Sequence, residues 1–256
     1  MKYFVSVWVP GMLIPIGKIT VKSKDVSRIP RLKAGELLEL TLTAGGEAEA
    51  RFKSKREGRR LHVAVVSCAG GVTVKVNADG KEVTRVTGRD ALHLAVGRTP
   101  PGTLIVNVSP LPPSPESYRV LVAAAHSPRR LPLPRLPKKL SIDLKDLSCT
   151  SIVVSWMKAP GGPSYCIVIK RVKKEETVLE RPPFQCGWEQ TLKRPADNEE
   201  VICVRESKDK WQSLYINTLY PVTDYVINVI IIHPTTGRAL SLTPKIFKTP
   251  HCTLPP

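Results

Sequence analysis

The chain has 256 residues, 39 Lys and Arg against 22 Asp and Glu, a formal charge of +17, 42% hydrophobic and only 5% aromatic residues, with 24 prolines and six cysteines. That apolar share excludes a wholly disordered chain, and the length suits one or two domains with cores of their own. No apolar run reaches the roughly 18 residues of a membrane-spanning helix. The longest, Tyr3 to Ile16, is broken by Ser6, Pro10, Gly11 and Pro15.

Residues 1–125 hold 19 basic and 10 acidic side chains, and residues 126–256 hold 20 and 12. The basic excess therefore covers the whole chain and is not a tail. Such an excess favours an anionic partner and is silent about fold.

Met1-Lys2 and the apolar stretch after it have the order of a signal peptide, but Pro10-Gly11 interrupts it and no small-residue cleavage site ends it. The preferred reading is a β-hairpin: Tyr3 to Val9, a turn at Pro10-Gly11, and a return strand from Lys18 to Lys22. Short β-branched runs follow, separated by Gly, Pro, Asp and Asn. They include Leu61 to Val66, Val72 to Val76, Leu104 to Val108 and Tyr118 to Val122. Alternation at this spacing predicts a β-sandwich over residues 29–125, with no evident helix. Asp79-Gly80 supplies the positive φ that a type I′ hairpin turn requires.

Residues 126–138 form a Pro-rich basic linker. Four prolines between Pro128 and Pro137 forbid helix or interior strand, so an extended, semi-rigid rod is expected. It presents Arg129, Arg130, Arg135 and Lys138, with Lys139 directly after it. Beyond it, Ile152, Val154 and Trp156 alternate along one strand face, and Tyr165 to Ile169 form another strand. Leu219-x-Pro221-x-Thr223-x-Tyr225 then runs into the alternating strand to Val229. That pattern resembles the tyrosine corner of fibronectin type III sandwiches, which implies such a domain over residues 139–252 and leaves 253–256 as a tail.

Lys2 to Pro10 aligns with Asp224 to Ile232, and each continues through a turn into a second short strand. Residues 1–28 are accordingly expected to be the last two strands, F and G, of a preceding fibronectin type III domain, with an N-terminal leader as the alternative. Two strands cannot bury a sandwich core, so the chain reads as the C-terminal part of a longer repeat protein.

The order of landmarks resembles the C-terminal half of the neuron-derived neurotrophic factor family, which includes the insect protein Nord. The landmarks are Val66-Ser67-Cys68, Val72-x-Val74-x-Val76-x-x-Asp79-Gly80-Lys81, the Pro132–Pro137 linker, Leu147 to Ser151, Tyr165-Cys166-Ile167, Val201-Ile202-Cys203 and Lys248 to Cys252. The resemblance implies a secreted glycoprotein alternating a small jelly-roll-like β-sandwich with fibronectin type III domains. It also implies heparan sulfate binding and modulation of growth-factor signalling in development, neuronal growth or migration.

No two cysteines lie closer than 17 residues, which excludes zinc knuckles and C-x-x-C redox sites and favours disulfides in an oxidising compartment. In a fibronectin sandwich the start of strand B and the end of strand G share a pole, so Cys149 is expected to pair with Cys252. Cys166, Cys186 and Cys203 then hold one internal pair and leave one partner for Cys68, with the choice open. Asn107-Val108-Ser109 is a glycosylation sequon weakened by Pro110.

The five histidines show no metal-ligand spacing, and His62 reads as a strand-face residue. No nucleophile elbow, phosphate loop or catalytic carboxylate pair occurs, so neither an enzyme nor a cofactor is expected. The candidate anion-binding residues fall in three clusters. Arg51, Lys53, Lys55, Arg56, Arg59 and Arg60 form the first, the five linker cations the second, and Lys170, Arg171, Lys173 and Lys174 the third. Cations spread along strands suit a linear sulfated polyanion, and arginine adds bidentate geometry. With few aromatics and no groove-entering helix, nucleic acid is not expected. A growth factor or its receptor is a further expected partner. The alternative function is an adhesion or scaffold module that binds a receptor protein through sandwich edges or loops, its charge incidental.

Overall fold

The computed structural model describes residues 2–7, 17–22, 28–54, 58–89, 91–99, 101–172 and 185–252. The chain divides into two compact units, residues 1–31 and 32–256. The first contains an antiparallel hairpin of β1 (Lys2–Val7) and β2 (Gly17–Lys22), with Lys2 opposite Lys22 and Val7 opposite Gly17. These strands fall close to the two expected segments. The turn expected at Pro10-Gly11 lies outside the described residues.

After β3 (Arg31–Leu32), eight strands run from Leu37 to Ala125: β4 (Leu37–Thr43), β5 (Ala48–Ser54), β6 (Arg60–Ser67), β7 (Gly71–Ala78), β8 (Lys81–Gly88), β9 (Leu92–Arg98), β10 (Gly102–Leu111) and β11 (Ser117–Ala125). They form two sheets, ordered β3-β5-β10-β7-β8 and β4-β11-β6-β9. Period-two alternation sends Leu40, Leu42, Phe52, Leu61, Val63, Val74, Val106 and Val120 into the core they share. The β7–β8 turn carries Asp79 and Gly80 at φ 49° and 78°, as an Asp-Gly hairpin requires.

The second half contains β12 (Asp143–Lys145), β13 (Ile152–Met157), β14 (Ser164–Arg171), β15 (Glu199–Val204), β16 (Trp211–Ile216), β17 (Asp224–Ile232), β18 (Ala239–Ser241) and β19 (Lys245–Lys248). One sheet runs β12-β13-β16; the other runs β15-β14-β17, with β18 and β19 pairing successive parts of β17. Trp156, Tyr165, Ile167, Tyr225 and Ile227 fill the core between them. Both buried phenols have partners: Tyr165 accepts a hydrogen bond from the Ala159 backbone N–H and Tyr225 from that of Tyr220, each at 2.8 Å. The chain is thus all-β with several sheets, apart from short helical turns.

One helix, α1 (Trp188–Lys193), departs from the helix-free expectation. Six residues are too few to leave a 3.6-residue pattern or to be stable alone. Tertiary bonds hold the segment instead. Glu189 accepts from the Ala239 backbone N–H at 3.1 Å, and the Gln185 amide bonds both ways with the Ser241 backbone, at 3.0 and 3.2 Å.

The linker also differs from a presented rod. Ser127 caps a 3₁₀ turn at Pro128–Arg130, after which the chain is extended. Leu131 and Leu133, 3% and 4% exposed, pack with Ala64, Val66, Ala123 and Ala125 of the first pair of sheets and Leu240 of the second. Burying a leucine contributes about 1.5–3 kcal/mol, enough to dock the segment once a small-residue face is available. The linker is a packed layer between the two halves, and a disulfide from Cys68 to Cys186 spans the same boundary.

Candidate anion-binding surface

The two remaining disulfides join Cys149 to Cys252 and Cys166 to Cys203. Cys166 and Cys203 are direct cross-strand partners on β14 and β15. Among the described residues no cysteine is free and no group of three or more metal-binding side chains converges.

Cation placement follows register, not sequence clusters. Arg51 and Lys53 lie on the outer face of β5, opposite Ile105 and Thr103 of β10. Arg59 and Arg60 stand at the start of β6 in the other sheet. The 51–60 run is therefore divided between two sheets, and its middle members, Lys55 and Arg56, lie outside the described residues.

At the β6 end, Arg60 is the register partner of Arg98 on β9, just past a bulge that shifts the pairing between Arg60 and Leu61. The Arg59 carbonyl accepts from both the backbone N–H and the hydroxyl of Thr99, at 3.2 and 3.0 Å, which fixes this corner. On the other side of β6, Ala125 of β11 pairs with His62. The next residue, His126, places its Nδ1 3.4 Å from the Arg60 carbonyl oxygen. The capped turn bearing Arg129 and Arg130 follows at once.

Three segments thus deliver Arg59, Arg60, Arg98, Arg129 and Arg130 to one end of the β4-β11-β6-β9 sheet, all exposed. No ion pair joins any of them to a carboxylate among the described residues. Arg98 is absent from the clusters expected from sequence: between Gly97 and Thr99 it has no charged neighbour in sequence, and only the bulge and register bring it beside Arg60.

Other expected cations are partly committed. Arg135 is half-buried, with its guanidinium beside Gly161 of the second half. Lys139 bonds to Asp143 at 2.9 Å and lies 5.0 Å from the centre of the Trp211 ring. Lys138 is exposed. Lys170 is half-buried, and Arg171, at the end of β14 in the second half, covers the Tyr220 ring at 5.0 Å. Lys173 and Lys174 lie outside the described residues.

Two histidines complete this surface. His62 on β6 and His93 on β9 point away from the core and stack with ring centres 5.3 Å apart and planes 11° from parallel. Desolvation, then the neighbouring Arg60 charge, lowers the pKa of His62 below its ordinary 6.5. For His93 desolvation leads again, followed by His62 and Arg135. Both rings therefore favour the neutral form.

Asn107 is the asparagine of the expected sequon. It is 7% exposed, in the middle of β10, where its Nδ2 donates to Glu49 at 2.8 Å and its Oδ1 accepts from Asn77 at 3.0 Å. The nitrogen a glycan would need is buried and bonded in the folded chain.

The model of the neuron-derived neurotrophic factor C-terminal region matches residues 87–252, more than half of the chain and the segment that carries the linker and five of the six cysteines. The chain belongs to this family. This member of the neuron-derived neurotrophic factor family matches no curated protein sequence. Among solved structures it is similar to a two-domain fibronectin type III segment of chicken tenascin, at 15% identity over 84% of this chain and 98% of that one, TM-score 0.33. It is also similar to the FN1–FN3 domains of chicken CNTN1, at 14% identity over 93% and 72%, TM-score 0.33. The FN5 domain of Drosophila Lar matches at 21% identity over 47% of this chain and all of that one, TM-score 0.32. Family membership and three disulfides mark a neurotrophic-factor-related extracellular protein.

Proposed function

We propose that this protein is a secreted heparan sulfate-binding factor that modulates growth-factor signalling, and that the polysaccharide docks on the arginine end of the first sandwich. The observation carrying this reading is the convergence of Arg59, Arg60, Arg98, Arg129 and Arg130 from three segments, without carboxylate partners among the described residues. Guanidinium groups bind sulfate-like oxygens bidentately, and a linear polyanion engages several of them at once. The growth-factor part of the reading rests on the family. Within the chain, the first sandwich takes the place of the family's small jelly-roll-like module. Strand order β12-β13-β16 against β15-β14-β17-β18, with a tyrosine corner at Tyr225, supports a fibronectin type III domain in the second half.

The test is salt elution from heparin compared with a plain sulfonate exchanger. The wild-type chain is expected to elute later from heparin, and neutralising the five arginines to glutamine should abolish the difference. Binding by counterion release also predicts that the log–log salt slope falls by about one for each contact removed. Equal elution of the wild-type chain from both resins would overturn the reading.

A second reading has its own observation. Trp211 and Tyr215, 41% and 61% exposed, stand on one outer face of β16, a strand at the edge of its sheet. Exposed aromatics on an edge strand suit a protein receptor. A partner lost on Trp211→Ala and insensitive to salt would favour that reading.

A further inference from the structure

We propose that the stacked His62–His93 pair is a conditional part of the polyanion site, so that a sulfated chain lying across Arg98, Arg60 and Arg135 is held more tightly in mildly acidic medium than at neutral pH. This rests on the polysaccharide reading above and adds to it the two imidazoles and the pH dependence.

Along the outer face of β6 the alternation runs Arg60, His62, Ala64, and along β9 it runs His93, Ala95 and, past the bulge, Arg98. His62 faces Ala95 and Ala64 faces His93 across the pair, so the two rings meet on the diagonal. Arg60 of β6 acts on His62 and Arg135 of the linker acts on His93, Arg98 stands opposite Arg60, and the same face of β6 and β11 packs with Ala123, Ala125, Leu131, Leu133, Cys186 and Leu240 of β18. The charged side chains that act on the two rings, Arg60 and Arg135, are both cations. No carboxylate among the described residues is paired with either ring. The two histidines therefore bridge the arginine end of the sheet and the linker arginine that reaches the second half.

Protonating His62 places a positive charge beside Arg60 and the His93 ring, and protonating His93 places one beside His62 and Arg135. His62 Nδ1 is buried without a hydrogen-bond partner, so nothing inside the fold rewards the added proton. Compensation has to come from outside, and a row of sulfates supplies it. A bound polyanion must then raise the affinity of the pair for protons, and by linkage protonation must raise affinity for the polyanion. In the free protein both groups titrate below 6.5, so the pair is mostly neutral at pH 7. Without a ligand, their contribution to stability is present above 6.5 and is lost as pH falls toward the folded values. With the polyanion, acid adds up to two favourable charges, and affinity climbs as pH falls through the value in the complex.

The experiment measures affinity for a size-defined heparin oligosaccharide at pH 7.5 and 5.5, at fixed ionic strength, using the full chain. Wild type is expected to bind several-fold more tightly at the lower pH, toward a limit of about tenfold for one imidazole whose pKa binding raises by about 1. His62→Gln/His93→Gln should lose the acid gain, its affinities at the two pH values being about equal, whereas His233→Gln/His251→Gln should keep the gain. An unchanged wild-type affinity, or a gain that survives in the His62/His93 variant, would overturn the inference while leaving the polysaccharide reading standing. No wild-type binding at either pH would remove both. Imidazole proton resonances of the wild-type chain supply a test that does not depend on variant folding. Titrated with and without the oligosaccharide, the His62 and His93 midpoints should rise on binding, and unmoved midpoints would equally overturn it.

Discussion

Tyr225 shows how one side chain does two jobs. Its ring is buried against Phe247, with centres 5.5 Å apart, while its hydroxyl oxygen holds the Tyr220 backbone N–H. The Leu219–Tyr225 corner thereby becomes a fixed turn rather than a loop. Tyr225→Phe keeps the apolar body and removes the acceptor, so a loss of about 1–2 kcal/mol is expected from denaturant unfolding, without change in the strands. An unchanged midpoint would mean that water replaces the phenol freely. This residue was legible because Leu-x-Pro-x-Thr-x-Tyr is a local pattern. The His62–His93 pair was not: the residues are 31 positions apart, and only strand register stacks them. Arg98 was hidden for the same reason, since a lone arginine carries no local signal until a bulge turns it toward Arg60.

At the scale of elements, the strands of both halves were legible through period-two alternation, and the β7–β8 turn through Asp79-Gly80. The linker was legible only in part. Leu-Pro-Leu-Pro-Arg-Leu-Pro correctly forbids helix and interior strand, yet its prolines gave no notice that the leucines would be buried. Their partners, Ala64, Val66, Ala123 and Ala125, are small residues on sheet faces, a pattern recognisable only once β6 and β11 are paired. Leu131→Ala/Leu133→Ala tests whether this layer couples the two halves. Each truncation should cost about 2–3 kcal/mol, less than additively because both residues sit in one cluster. Calorimetry of the double variant is expected to resolve two transitions, one for each half, where wild type gives one. A single transition with an unshifted midpoint would mean that the linker leucines are not what joins the halves.

At the scale of the molecule, two kinds of connection cross the same boundary: the apolar layer around the linker and the Cys68–Cys186 disulfide, whose partners are 118 residues apart in sequence. Closing so long a loop stabilises by up to about 4–5 kcal/mol in the chain-entropy model. The bond also bears on binding, because the arginine end belongs to the first sandwich while Arg135 reaches toward Gly161 in the second. If the polyanion runs from one to the other, the halves must be held in place before it arrives, and mobility between them would lower affinity. Cys68→Ser/Cys186→Ser should therefore unfold at lower denaturant and also bind heparin oligosaccharides more weakly, with the deficit growing with oligosaccharide length. A short fragment that covers only Arg59, Arg60 and Arg98 should not distinguish the variant from wild type. Equal losses for short and long fragments would place the whole site on the first sandwich, and the bridge would then serve stability alone.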